Sequence, residues 1–553
     1  MNSRPLPLSP SLLLSVSLSL LLSLSLSLFL PITAAAATAA PAAAPKKNVL
    51  FLIADDLNNM LGAYGDPLAR TPNLDKLAAR GVRFDRAYCT FPLCGPSRNS
   101  MLTGLYPNST GIHGNSQIFR QTIPRQLSLP QSFRQQGYFA GRIGKLYHYN
   151  VPNSVGTTGH DDPASWELAL NPAGVDRTEE EPKITTLTPG QFGGTLSWYA
   201  SPKSDEHHTD AMLAADAEWV LERLAKPGQR PFFLAVGFYR PHTPYVAPKD
   251  PYFGYYPREK MRIVPDVKAD QADIPPAGLA SFKREQDNMT DDQRRDALQG
   301  YYASISFMDA QVGRVVDALD RLGLAENTII VFTSDHGYLT GEHGLWQKQS
   351  LFEESARVPL LIVAPGVSKP KSVAASPVSQ LDLFPTLAEL AGIKAPANLQ
   401  GQSLAPMLRD PSFTGRGWAL TQVMRGPAAA TVGAGLPRDL PRDPTVASKR
   451  KEKTVKQAAS AAPAPAPGRF SGYSLRTARW RYTEWNEGKA GRELYDHDTD
   501  PRELTNLAEI PAHAATVATL SAQVQAAVKT TFPPSGQTPS FLEGTWAPNL
   551  LAP

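Results

Sequence analysis

The residues of this 553-residue chain that could do chemistry stand in a few short stretches. Cys94-Gly-Pro-Ser-Arg98 runs on into Leu102-Thr103-Gly104 and sets a thiol near a hydroxyl and a guanidinium. Pro96 suits the first turn of a helix, so Cys94 is expected near a helix N-terminus, where free N–H groups and the dipole favour an anion. Asp55-Asp56 are adjacent carboxylates that repel each other unless a cation compensates, which points to a hard, oxygen-preferring metal. Asp also favours caps and turns, the plainer reading of the same pair. Lys145, His148, His242, Asp335-His336 and Lys348 add further cationic, acid–base and metal-ligating groups.

The elements around these residues explain how they could meet. Asn48–Ala54 is a continuous apolar run that ends at Asp55, the pattern of a strand buried on both faces. Similar runs over 138–145, 231–238 and 328–333 close on Lys145, on Arg240-Pro241-His242 and on Ser334-Asp335-His336. A fifth covers 359–363. Parallel strands share one C-terminal edge, where open α/β sheets hold their ligands, so groups nearly 300 residues apart could converge. Helices are predicted over 72–80, from Thr209 to about Ala225, from about 292 to 322, and over 381–391. The second carries Ala211, Leu213, Ala214, Trp219, Val220 and Leu224 among its apolar positions. The third shows a core stripe of Tyr301, Ile305, Met308, Val312, Val315 and Leu319. Segments 150–205 and 245–290 lack periodicity and read as long surface loops. Strands alternating with helices predict a mostly parallel, doubly wound α/β sheet.

Composition narrows the class. A hydrophobic fraction of 42% and a charged fraction of 19% are ordinary for a globular protein, and a net charge of +4 gives no reason to expect a nucleic-acid partner. The two cysteines rule out an extensive disulfide framework but could oxidise to each other in an exporting compartment. Residues 1–45 combine Arg4, a Leu/Ser-rich run and an Ala-rich stretch, the pattern of a cleaved export signal. A secreted or periplasmic protein without a stable membrane anchor is therefore expected. The Ala/Pro-rich stretch 426–469 cannot build a core and reads as an insertion. After it, alternating segments over 473–485 and 493–496 and a helix from about 512 to 528 predict a small α+β domain.

With these stretches in view, the chain resembles the formylglycine-dependent sulfatase family, nearest its iduronate-2-sulfatase-like branch. The resemblance rests on Asp55-Asp56, the Cys94 stretch, Gly144-Lys145-Leu-Tyr-His148, Arg240-Pro-His242-Thr-Pro, Ser334-Asp-His-Gly337 and Gly341 to Lys348. Asp382 to Thr386 and Leu494-Tyr-Asp496 extend it. It implies an alkaline-phosphatase-like α/β sandwich, with a catalytic domain over 46–425 and a C-terminal α+β subdomain and tail over 470–553. It implies that a maturase oxidises Cys94 to formylglycine (3-oxoalanine), which leaves Cys89 a free packing residue, and that Asp55, Asp56, Asp335 and His336 hold Ca2+, with the modified Cys94 as a further ligand. Arg98 would stabilise the ionised aldehyde hydrate, while Lys145 and His148 position its hydroxyls. His242 and Lys348 would bind sulfate and help protonate the departing alcohol. The expected substrate is a sulfated carbohydrate or small sulfate ester, a 2-O-sulfated uronate being one candidate. A phosphonate or phosphate ester hydrolase of the same superfamily is the alternative within enzymes. A non-catalytic sulfated-glycan-binding protein is the alternative outside them.

Overall fold

The computed structural model describes residues 46–265, 267–426 and 468–542; the expected export signal and nearly all of the Ala/Pro-rich insertion fall outside them. Eight strands form the main sheet: β1 (Asn48–Asp55), β2 (Val82–Phe84), β3 (Phe139–Gly144), β4 (Leu168–Leu170), β5 (Phe232–Pro241), β6 (Thr328–Ser334), β7 (Leu360–Val363) and β8 (Ser372–Ala374). Their order across the sheet is β8-β2-β7-β6-β1-β5-β3-β4. Only β7 runs against its neighbours, pairing antiparallel with β6 and β2. The sheet is therefore mostly parallel, as the alternation of strands and helices predicts.

Strand periodicity divides the core in two. Leu50, Leu52 and Ala54 of β1 face one hydrophobic layer, shared with α3 (Thr209–Leu224) and α4 (Asp291–Arg321). Val49, Phe51 and Ile53 face the opposite layer, shared with α2 (Cys94–Thr103), which follows α1 (Pro72–Arg80). Successive side chains of a strand point to opposite faces, so a run apolar at every position must be covered on both. Thr290 caps α4 by accepting from Gln293 N, and the predicted stripe from Tyr301 to Leu319 is buried.

Two expectations about this region need correction. Segment 150–205 is not simply a surface loop. It supplies edge strand β4, and Ser197–Ser201 pairs with Tyr245–Pro248 in a small second sheet. Ion pairs hold this aperiodic chain in place: Arg142 with Asp161, Arg120 with Asp162, and Arg240 with Asp176. Trp219 is 48% exposed rather than part of the core and lies against the Arg223 guanidinium. An aromatic ring can face water when a cation covers its π surface.

The C-terminal sheet is a four-stranded antiparallel meander: β9 (Ala419–Arg425), β10 (Phe470–Arg476), β11 (Trp480–Trp485) and β12 (Arg492–Asp496). Helix α5 (Ala514–Thr530) packs on it through Leu520, Val524 and Ala527. The alternating stretch 473–485 divides into β10 and β11, with Trp480 opening β11. Strand β9, placed with the catalytic region by its position in the sequence, is the first strand of this sheet. No helix among the described residues is long and apolar enough to cross a membrane.

The β3–β5 contact is unusually close. A Cβ at Gly237 of β5 would stand 1.9 Å from the carbonyl oxygen of Lys145. Gly237→Ala is expected to force β3 and β5 apart and cost about 1–3 kcal/mol. Urea unfolding of the two proteins measures this, and equal midpoints would contradict it.

Candidate active site

Strand register gathers the candidate residues. Ala54 of β1 lies opposite Ser334 of β6, so Asp55 and Asp335 leave the sheet side by side. On the other flank Asp55 faces Pro241 of β5, one residue before His242. Gly144 of β3 pairs with Gly237 of β5, which brings Lys145 to the same edge. Asp56 then turns inward with φ of 64°, a conformation that costs a non-glycine residue about 1 kcal/mol or more. Tyr301 of α4 pins this turn: its hydroxyl donates to Asp56 O at 2.8 Å and accepts from Asn58 N at 3.0 Å.

The arriving helix places Cys94 at its first turn, and all ten residues of α2 are buried. Ser97 Oγ donates to the backbone carbonyl of Asp335 and to Gln380 Oε1, which fastens α2 to the end of β6. Gly95 N donates to Asn115 Oδ1 at 2.9 Å. Arg98 lies fully buried beneath the thiol. Its Nε donates to Asp335 at 2.9 Å, its Nη2 to Asp55 at 3.1 Å and its Nη1 to the Lys145 carbonyl at 2.8 Å. None of these bonds reaches Sγ; Arg98 acts on position 94 through its charge and its grip on the carboxylates.

The remaining groups complete a dense ionic cluster. Lys145 Nζ lies 2.5 Å from Asp55 Oδ2. Lys348 Nζ lies 2.5 Å from Asp56 Oδ1 and 3.2 Å from Cys94 Sγ. His336 Nε2 stands 3.4 Å from Sγ and 3.4 Å from Asp56 Oδ1. His148 stands beside Cys94 and interacts electrostatically with it. His242 binds its own Thr243 carbonyl through Nδ1 at 2.5 Å and turns Nε2 toward Asp56 at 3.7 Å. Every candidate picked out in the sequence therefore meets at one place.

Electrostatics set the protonation states. Burial alone would raise the Cys94 thiol, but Lys145, Lys348 and His336 together hold it well below the usual thiol range. Cys89 is the control: equally buried but without such partners, it is pushed up, and it remains a free thiol. Burial lowers His148 to about 4, so this imidazole is neutral near pH 7. Burial also lifts Asp335, to about 6, against the pull of Arg98 and His336.

The donor set suits a divalent cation. Asp55, Asp56, Asp335, His336, His242 and Cys94 form three overlapping groups whose ligand atoms lie within 4.8 Å of one another. His336 Nδ1 is engaged by the Gly337 carbonyl at 2.8 Å, which leaves Nε2 aimed into the cluster. Three carboxylates match the oxygen preference of Ca2+, and the imidazole is the less usual partner.

Several residues that shape the site carried no signal in the sequence. Lys348 sits between Gln347 and Gln349, whose φ values of 77° and 70° are both left-handed. The C-terminal sheet holds this strained segment: Arg425 Nη2 donates to Gln349 O at 2.9 Å and Arg481 Nη1 to Leu351 O at 3.0 Å. Gln380 and Tyr301 are likewise ordinary core positions in the sequence, because their partners lie far along the chain. His343, inside a stretch that carries the resemblance, stays out of the site. It bonds Asp270 at 3.0 Å and stacks on Phe352.

A buried edge of charged groups gathered at parallel-strand exits defines an α/β enzyme built to handle an anionic substrate. Comparison specifies which. The sulfatase family model matches residues 47–393, and the chain belongs to that family. It is a sulfuric ester hydrolase. A sulfatase of Formosa agariphila is 38% identical over 66% of this chain and 73% of its own length. The iduronate 2-sulfatase of Mus musculus is 31% identical over 84% and 91% respectively. In fold, the crystal structure of the phosphonate monoester hydrolase of Agrobacterium radiobacter superposes with a TM-score of 0.66 at 23% identity, covering 88% of this chain and 96% of that one.

His343 supplies a pH test of the segment leading to Lys348. Burial opposes its charge, but the Asp270 hydrogen bond and Glu354 outweigh it and lift the imidazole to about 9. The folded value exceeds the ordinary one near 6.5, so this stabilisation is complete below about pH 6.5 and is lost as pH rises through about 9. The stability gap between wild type and His343→Gln should close over that window. Melting temperatures from pH 6 to 10 check it, and a constant gap would refute it.

Proposed function

We propose that this protein is an exported, Ca2+-dependent sulfatase that cleaves O-sulfate esters of carbohydrates, 2-O-sulfated uronates among them, with Cys94 converted to formylglycine. The observation that carries the reading is the concentration of cationic and imidazole groups on one buried, acidified position at the first turn of α2. Formylglycine would supply a hydrated aldehyde there, one hydroxyl to attack sulfur and a second whose ionisation restores the aldehyde. A calcium ion held by Asp55, Asp56, Asp335 and His336, with position 94 beside them, would supply charge that polarises the sulfate oxygens.

The chain's own residues account for the rest. Lys145 and Lys348 bring two cations to the side of Cys94 where a sulfate must sit, and they offset the charge the group carries into a buried site. Neutral His148, beside position 94, is placed to take a proton from that position. His242 has Nδ1–H committed to a carbonyl, so in the imidazolium form Nε2–H is the proton free to pass to the departing alcohol oxygen. Arg98 fixes Asp55 and Asp335 relative to each other while its charge favours an anion at position 94. The mouse relative is named for a sulfated uronate, which supports that substrate class; the apolar and Ala-rich stretches of residues 1–45 support export.

The first measurement is the peptide mass across Cys94 in protein from an exporting host that holds the maturase. It is expected to be about 18 Da below the thiol form, the difference between CH2SH and an aldehyde. An unmodified thiol with glycan binding and no turnover would instead identify a sulfated-glycan-binding protein. Turnover of 4-nitrophenyl sulfate is expected to exceed that of a matched phosphate diester, and the reverse order would favour the phosphoester reading. Cys94→Ala should lower sulfate ester turnover by more than about a thousandfold. Chelation should lower both activity and melting temperature, with Ca2+ restoring both.

A further inference from the structure

Beyond their strand pairing, the two aperiodic segments, 150–205 and 245–290, also meet at the side chain of Lys283. Lys283 donates to Gly194 O, across the gap between them, and to Gln347 Oε1, one residue before Lys348. Both acceptors are neutral oxygens, and among the described residues Lys283 forms no ion pair. It is partly buried all the same. No carboxylate among the described residues lies within ion-pair distance of its Nζ, and Glu285 and Asp56 attract it only from farther off, so the partly desolvated ammonium is incompletely compensated.

Its position relative to the site is defined from three sides. Lys348 retains 13% side-chain exposure, whereas Asp55, Asp56 and Asp335 are sealed, so the site reaches solvent beside Lys348. The contact of Lys283 with Gln347, the residue before Lys348, sets its ammonium on that side of the site. Burial and the repulsion of Lys348 together lower Lys283 to about 8, so it remains mostly cationic at pH 7. Gly193 ties the same rim to the candidate acid, its carbonyl accepting from Thr243 Oγ1 at 2.9 Å next to His242. A side chain built at Gly194 would meet nothing within 4 Å, so this part of the rim is open rather than packed.

We propose that Lys283 is a specificity-determining residue that binds a second anionic group of the substrate, a carboxylate or another sulfate, while the scissile sulfate occupies the site between Lys145 and Lys348. This deepens the sulfatase reading and rests on it. The Gly194 and Gln347 contacts preset the ammonium at the rim, so little side-chain freedom is lost when the anion arrives. A substrate without the second charge leaves the ammonium with those two neutral partners alone.

The test uses matched substrates and the full-length, matured enzyme. One pair is a 2-O-sulfated uronide and its methyl ester, which differ in the carboxylate charge. The other is glucosamine 2-N,6-O-disulfate and its 6-O-monosulfate, which differ in the second sulfate. In the wild type the doubly anionic member of one pair should be preferred in kcat/KM by about tenfold, mainly through KM, the size of a charged hydrogen bond. Lys283→Met should erase that preference and Lys283→Arg should keep most of it; the pair affected identifies the anion. If Lys283→Met leaves the preference intact in both pairs, or if the wild type shows no preference in either, the proposal is overturned. 4-Nitrophenyl sulfate separates this failure from failure of the sulfatase reading: its turnover without any pair preference overturns Lys283 alone, and no turnover of any sulfate ester overturns both.

Discussion

The structure depends on keeping three buried carboxylates in one place. Asp55, Asp56 and Asp335 would repel one another strongly in a space closed to water, where charges are poorly screened. Arg98 resolves much of this by bridging Asp55 and Asp335 with separate nitrogens of one rigid fork. Lys145 and Lys348 balance the outer oxygens of Asp55 and Asp56. Removing one member of such a buried cluster leaves an uncompensated charge, which typically costs about 3–5 kcal/mol. The cluster is therefore both the candidate chemistry and a condition of the fold around it.

The sheet makes this arrangement possible. Four neighbouring strands, β6, β1, β5 and β3, end at one edge with Asp335, Asp55, His242 and Lys145 just at or beyond their exits. A one-residue slip of β1 against β6 would separate the two aspartates and turn β1's side chains to the wrong layers. The alternating burial of β1 in two cores holds the register, so hydrophobic packing fixes the polar geometry. Helix α2 closes the site from above, and its own polar residues, Ser97 and Arg98, fasten it to the strand ends.

The C-terminal sheet has a larger part than a covering layer. Glu353 and Glu503 both accept from Arg481, whose Nη1 also holds the Leu351 carbonyl. Arg425, stacked on Trp485, reaches Gln349. Two arginines of one sheet thus grip the segment that presents Lys348. These contacts span from about 75 to 130 residues of sequence, and nothing in local composition announces them.

The sequence alone determined the sheet-forming runs, the long amphipathic helix, the Cys94 stretch and the exits at which the reactive residues stand. Those features are local: side-chain periodicity and neighbouring residue types carry them. Tertiary structure decided what depends on distant partners. It reversed β7, drew an edge strand out of the aperiodic 150–205 segment, exposed Trp219, and set Lys283 beside Gln347. It also gave Arg98 its bridging place between two carboxylates. Ion pairs and hydrogen bonds between remote segments leave no periodic trace in the chain, so their geometry exists only once the strands have taken their register.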